Sequence, residues 1–131
     1  MHEFNGWFRL HDSPYEDEFA ELDAAVADLR ARIESLHWSS AQARIVRVNG
    51  EYCLVVTGLI NRVRQEKREL DALIDFVGTR FPGAYGVLYE RSGDPDPELP
   101  DGAFSVGVMA RGRFSRHADP FLSPVNPTIE D

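Results

Sequence analysis

The dipeptide Asn49-Gly50, set between the runs ARIVRV and EYCLVVTG, constrains this chain more than any other feature. Both central positions of a two-residue hairpin turn need positive φ, which Asn and Gly tolerate, so the two runs are predicted to pair as antiparallel neighbours. A second hairpin is predicted where Phe104, Val106 and Val108 alternate, Arg111-Gly112 turns, and Arg113 to Arg116 return. Residues 3–10 (EFNGWFRL) put Phe4, Phe8 and Leu10 on one face of a strand and Glu3, Asn5, Trp7 and Arg9 on the other. Residues 84–91 (AYGVLYER) supply a further strand.

Two helical stripes separate these strands. Asp12, Ser13 and Pro14 are turn and capping residues followed by acids, which favour a helix N-terminus. Phe19, Leu22, Val26, Leu29, Ile33 and Leu36 then recur at spacings of three and four, one face of a helix. Beyond Gly58, taken as the end of its strand, the polar stretch NRVRQEKREL leads into a second stripe of Leu70, Leu73, Ile74, Val77 and Phe81, stopped by Pro82-Gly83. The order is therefore β-α-β-β-α-β-β-β, and the expected fold is α+β: a two-layer sandwich with two helices on one face of an antiparallel sheet. The stripes are expected to meet Phe4, Phe8, Val55 and Val106, with Leu54 and Val56 replacing Val55 if the register slips by one. At 131 residues the chain suits one domain spanning 1–131. The proline-rich tail is expected to be irregular and anchored by Phe121 and Leu122.

Charge and cysteine usage narrow the function. Fourteen basic against 22 acidic residues give a net charge of −8, which opposes nucleic-acid and anionic-membrane partners and suits a basic one. Cys53, the one cysteine, sits inside an apolar strand with no adjacent base, so a buried, passive thiol is expected and a disulfide within the chain is excluded. The first residues lack a basic and an apolar secretory region, which leads to the expectation of a cytoplasmic protein.

The signatures of nucleotide binding, hydrolases and zinc sites are absent from the sequence, and His2, His11, His37 and His117 are scattered without metal-ligand spacing. No catalytic residue, metal or cofactor is therefore expected. His11, Asp12 and Ser13 are adjacent, but neighbours on one turn cannot align a nucleophile, a base and its orienter, so capping explains them better. The cluster Arg62, Arg64, Lys67 and Arg68 is interleaved with Glu66, Glu69 and Asp71, which reads as a solvated, salt-bridged helix start. Asp17 and Glu21 read likewise as dipole-stabilised acids.

Three features suit a binding surface. Trp7 falls among polar neighbours, as interface anchors do, although burial under the tail would also account for it. Tyr85 and Tyr89 share a sheet face with Val87, either as core aromatics with hydroxyls at the rim or as further anchors. The loop GDPDPELPDG presents Asp94, Asp96, Glu98 and Asp101 on proline-stiffened backbone, either as an acidic rim or as a solubilising loop.

Several pieces in order, Glu3-Phe4-Asn5-Gly6-Trp7, Asn49-Gly50, Gly58 with Asn61-Arg62, and residues 82–89 (PGAYGVLY), are joined by Arg111-Gly112, residues 119–124 (DPFLSP), Pro127 and Glu130. Together they resemble the immunity protein 7 family of bacterial polymorphic toxin systems. That family commonly has histidines beside Gly6 and within the Asn-Arg pair, where this chain has Asn5 and a direct Asn61-Arg62 junction, so a role resting on those histidines is not carried over. The resemblance implies a cytoplasmic antitoxin that binds a cognate toxin domain, and a small acidic chain without catalytic motifs agrees with it. Two other classes stand beside this reading: a small enzyme reversing a toxin's modification, and an adaptor with no toxin partner. The sequence leaves the oligomeric state open.

Overall fold

The computed structural model describes residues 1–11, 22–60, 63–92 and 103–122. Its elements are β1 (His2–Arg9), α1 (Leu22–Glu34), β2 (Ala41–Val48), β3 (Glu51–Ile60), α2 (Val63–Arg80), β4 (Tyr85–Ser92), β5 (Ser105–Ala110) and β6 (Arg113–Ala118). The strands form one antiparallel sheet in the order β2-β3-β1-β4-β5-β6. The first four strands and two helices thus trace a split β-α-β arrangement, with the β5–β6 hairpin extending one side.

Both turn predictions hold, and for the stated reason: Asn49 and Gly50 have φ of 50° and 83°, and Arg111 and Gly112 have 52° and 73°. Strand β3 continues two residues past Gly58 to Ile60. The glycine does not end the strand; it makes room, because a Cβ there would lie 2.5 Å from the Phe4 ring.

Period-two alternation sets the inner face of the sheet. Phe4, Phe8, Leu54, Val56, Leu88 and Met109 are fully or almost fully buried against Val26 and Leu29 of α1 and Leu70, Leu73, Ile74 and Val77 of α2. Each such side chain contributes about 1.5–3 kcal/mol of transfer free energy on burial. Val55 and Val106, expected among the inner residues, lie on the opposite face. Leu54 and Val56 take the place of Val55, and Gly107 and Met109 that of Val106, because β3 and β5 pair one residue out of the expected phase.

The helices deviate from their stripes at the ends. In α1, Ser35 Oγ donates to the Arg32 carbonyl at 2.6 Å as the helix closes, which leaves Leu36 beyond it but half-buried against the core. Phe19 and the expected start at Asp12 to Pro14, like Asp17 and Glu21, fall outside the described residues. Helix α2 begins well before its apolar stripe, and ends as expected before Pro82-Gly83. Arg80 meets Asp28 at 3.1 Å, joining the two helices. After β6, Phe121 and Leu122 are exposed rather than anchoring. The hold is polar instead: buried Asp119 accepts a hydrogen bond from the Leu122 N–H at 2.6 Å.

Candidate interaction surface

The face of the sheet turned away from the helices is built by the other half of each strand. Register aligns Arg44, Val55, Trp7, Val87, Val108 and Ser115 in one row across all six strands. The row beside it runs Gln42, Thr57, Asn5, Tyr89, Val106 and His117. An apolar and aromatic band therefore crosses the centre of this face. Trp7 is 41% exposed and Tyr85 43%, and the tail residues expected as a possible cover for Trp7 lie outside the described residues, beyond Leu122.

The aromatic side chains are held in place by their neighbours. Trp7 and Tyr85 meet edge to face at 6.2 Å, and His11 packs on the other side of Tyr85 at 5.6 Å. Tyr89, half-buried, meets Phe104 edge to face at 6.3 Å, and the Arg91 guanidinium lies over Phe104 at 5.5 Å. Such edge-to-face pairs stabilise each ring by about 0.5–1.5 kcal/mol and limit its rotamer freedom, so less entropy is lost when a partner lands on it. Around the band, Arg91 pairs with Glu3 at 3.1 Å and Arg9 with Glu51 at 3.7 Å. Thr57 Oγ1 donates to Asn5 Oδ1 at 2.6 Å.

Cys53 lies on this same face yet is buried, and burial pushes its thiol up against the lowering effects of the Arg9 charge and a Phe8 backbone hydrogen bond. A thiol held protonated is a poor nucleophile. Asp94, Asp96, Glu98 and Asp101 lie outside the described residues.

A charged cluster sits on the helix-covered side. Glu90 is buried, and its Oε2 accepts from His2 Nε2 at 2.9 Å and Lys67 Nζ at 2.7 Å, while Oε1 accepts from Arg116 Nε at 3.0 Å. Lys67 and Arg116 both reach Asp71 as well, at 2.7 and 2.9 Å. Burial pushes the Glu90 carboxyl up, but the His2 hydrogen bond and the Lys67 and Arg116 cations outweigh it and bring it down to about 2. Arg116 is raised in turn: burial opposes its charge, and Glu90 and Asp71 more than compensate. A carboxylate held this firmly ionised is a weak base. The cluster ties β1, β4 and β6 to α2.

Sequence reasoning missed Glu90 and read Lys67 and Asp71 as solvated. The signal was present in the alternation of β4, since Gly86, Leu88 and Glu90 are all buried on the inner face. An acid in that phase requires cationic partners. Among the described residues no group of three or more His, Cys, Asp or Glu side chains is arranged to hold a metal ion, and no helix is long and apolar enough to cross a membrane.

No curated protein matches the chain significantly. Among solved structures it is similar to a phage S-adenosylmethionine lyase in complex with S-methyl-5′-thioadenosine, with a TM-score of 0.33 and 13% identity over 91% of this chain and 92% of that one. The sequence model of the immunity protein 7 family matches residues 1–131, the whole chain. With the fold, the hairpin turns and the Trp7 strand in view, the chain belongs to the immunity protein 7 family.

Proposed function

We propose that this immunity protein neutralises a cognate toxin domain by direct, stoichiometric binding, with the open face of the sheet as its docking surface. The observation that carries the reading is the exposed, pre-positioned pair Trp7 and Tyr85 on the two middle strands of that face. Aromatic side chains fixed before contact are what interface anchors need, because neutralisation demands slow dissociation rather than turnover. Tyr89 serves as a neighbouring contact in this reading. The charges of Asp94, Asp96, Glu98 and Asp101 contribute, within the net charge of −8, to faster encounter with a basic toxin in this reading.

The candidate toxin for the test is the C-terminal domain of the protein encoded by the neighbouring gene. Co-expression should rescue cells from that domain and yield a one-to-one complex on co-purification. Rescue without a complex would favour an enzyme that reverses the toxin's damage. Within a complex, reversing the four loop acids to Lys should slow association and flatten its salt dependence, while truncating an anchor should speed dissociation.

A further inference from the structure

The two edges of the sheet are protected to different degrees. A free edge strand offers unpaired N–H and C=O groups, and proteins blunt such edges with short strands, prolines or inward-pointing charges. Edge strand β6 carries Arg116 on its inner side, locked to Glu90 and Asp71. Edge strand β2 is eight residues long and contains no proline. Its one inward charge, Arg47, stacks over the Tyr52 ring at 4.6 Å near the turn, which leaves the stretch from Ala41 to Ile45 unguarded among the described residues.

The register of the hairpin identifies the free groups. In a two-residue hairpin the residues flanking the turn exchange hydrogen bonds, so Val48, and by alternation Val46, Arg44 and Gln42, direct their backbone groups at β3. The Leu59 N–H donating to the Ser40 carbonyl at 3.0 Å continues the same parity. The N–H and C=O groups of Ala41, Ala43, Ile45 and Arg47 therefore point outward, away from the sheet.

Beside this edge runs a groove of about 320 Å³, with Ile33, Leu36 and Trp38 on one side and Ala41, Ala43 and Arg44 on the other. The small side chains of Ala41 and Ala43 keep it open. Trp38 also has a buried indole N–H with no acceptor among the described residues, an unmet donor that favours an incoming oxygen. The groove is lined by no acid, β2 holds Arg44 and Arg47 and no acid, and neither arginine has a carboxylate partner among the described residues. In a chain of net charge −8, this edge is locally cationic.

We infer that the β2 edge and its groove are a strand-docking site for an extended, acidic segment of the toxin, which pairs with the outward backbone groups, sets an apolar side chain in the groove and brings carboxylates to Arg44 and Arg47. The inference rests on the toxin-binding reading and extends it: Gln42 and Arg44 line the groove and also end the rows that cross the open face, so the two surfaces are continuous. Main-chain pairing supplies affinity in this mode, and the groove and cations supply selectivity.

The experiment uses the same candidate, the C-terminal domain encoded by the neighbouring gene, with hydrogen exchange read on the complex. Binding should slow exchange at the amides of Ala41, Ala43, Ile45 and Arg47. Ala43→Pro deletes one outward N–H that serves no bond within the sheet, a change edge strands accept, and should weaken toxin binding tenfold or more. The double variant Arg44→Glu, Arg47→Glu leaves the backbone untouched, should weaken binding similarly at low salt, and decides the matter if Ala43→Pro fails to fold. If the toxin binds wild type and both variants equally, and the β2 amides stay unprotected, the inference falls and the toxin-binding reading stands. If wild type binds no toxin, both fall. A toxin-free wild-type dimer that Ala43→Pro dissolves would make a second copy the occupant and overturn the assignment to the toxin.

Discussion

Both faces of this sheet carry apolar residues, and they differ in the exceptions each one admits. The face under the helices buries a carboxylate among three cationic or imidazole side chains, while the face away from them exposes a tryptophan, a tyrosine and a valine. The difference separates two duties within the same six strands. A buried charge is tolerable only when its partners are fixed, so the inner face is rigid and intolerant of change. A ring that keeps 41–43% of its surface exposed, as Trp7 and Tyr85 do, leaves part of its transfer free energy unrealised until a partner covers it. Stability and binding should therefore respond to different residues, even to adjacent ones on a single strand.

The largest expected effect tests the inner face. Glu90→Ala removes the shared acceptor of His2, Lys67 and Arg116 and leaves cationic groups underneath α2 with only Asp71. Breaking one side of such a buried cluster costs about 3–5 kcal/mol, read as a lower urea midpoint at unchanged m-value. A loss below 1 kcal/mol would show that the cluster is solvated in solution and would dissolve the contrast between the faces.

Neighbouring residues of β4 give a direct comparison. Leu88 is fully buried beneath the helices and Val87 lies beside Trp7 and Val108 on the open face. Leu88→Ala should cost about 2–5 kcal/mol through lost burial and a cavity. Val87→Ala should cost about 1 kcal/mol or less, the scale of a cross-strand pair. Equal losses would mean that the open face is covered in the native molecule.

Acid sharpens the same contrast. Glu90 has a folded value of about 2 against an ordinary 4.5, so its stabilisation is complete above pH about 4.5 and is lost as pH falls toward 2. That depression corresponds to about 3 kcal/mol. Wild type should lose this increment across the window in acid unfolding curves, and Glu90→Gln should lack that part of the slope.

Much of the frame was legible in the sequence because it rests on local rules. Turn chemistry at Asn49-Gly50 and Arg111-Gly112 depends on φ alone, and the alternation of β1 placed Trp7 apart from Phe4 and Phe8 correctly. What local rules cannot supply is phase and adjacency. Val55 was assigned inward because a run of apolar residues in β3 fits either phase, and only pairing with β1 decides it. Glu90 drew no reading from the sequence because its partners come from positions 2, 67 and 116, brought together only by the sheet order. The open edge of β2 is invisible for the same reason, since nothing within a strand records which neighbour it lacks.

The half-exposed tryptophan is where stability and binding are expected to separate furthest. Trp7 stands between Val55 and Val87, touches Tyr85 edge to face, and keeps 41% of its surface exposed. Trp7→Ala therefore deletes cross-strand contacts worth about 0.2–1 kcal/mol each way without opening an interior cavity, so the loss in thermal stability should stay near 1 kcal/mol. Under the proposed function, the same substitution should speed dissociation from the candidate toxin domain more than tenfold, in line with the roughly 2 kcal/mol or more of an interface hot spot. Measuring both quantities on one preparation separates the duties of the two faces. A variant that unfolds easily and dissociates at the wild-type rate would place Trp7 with the core residues, and the docking surface would then have to lie along the β2 edge without the open face.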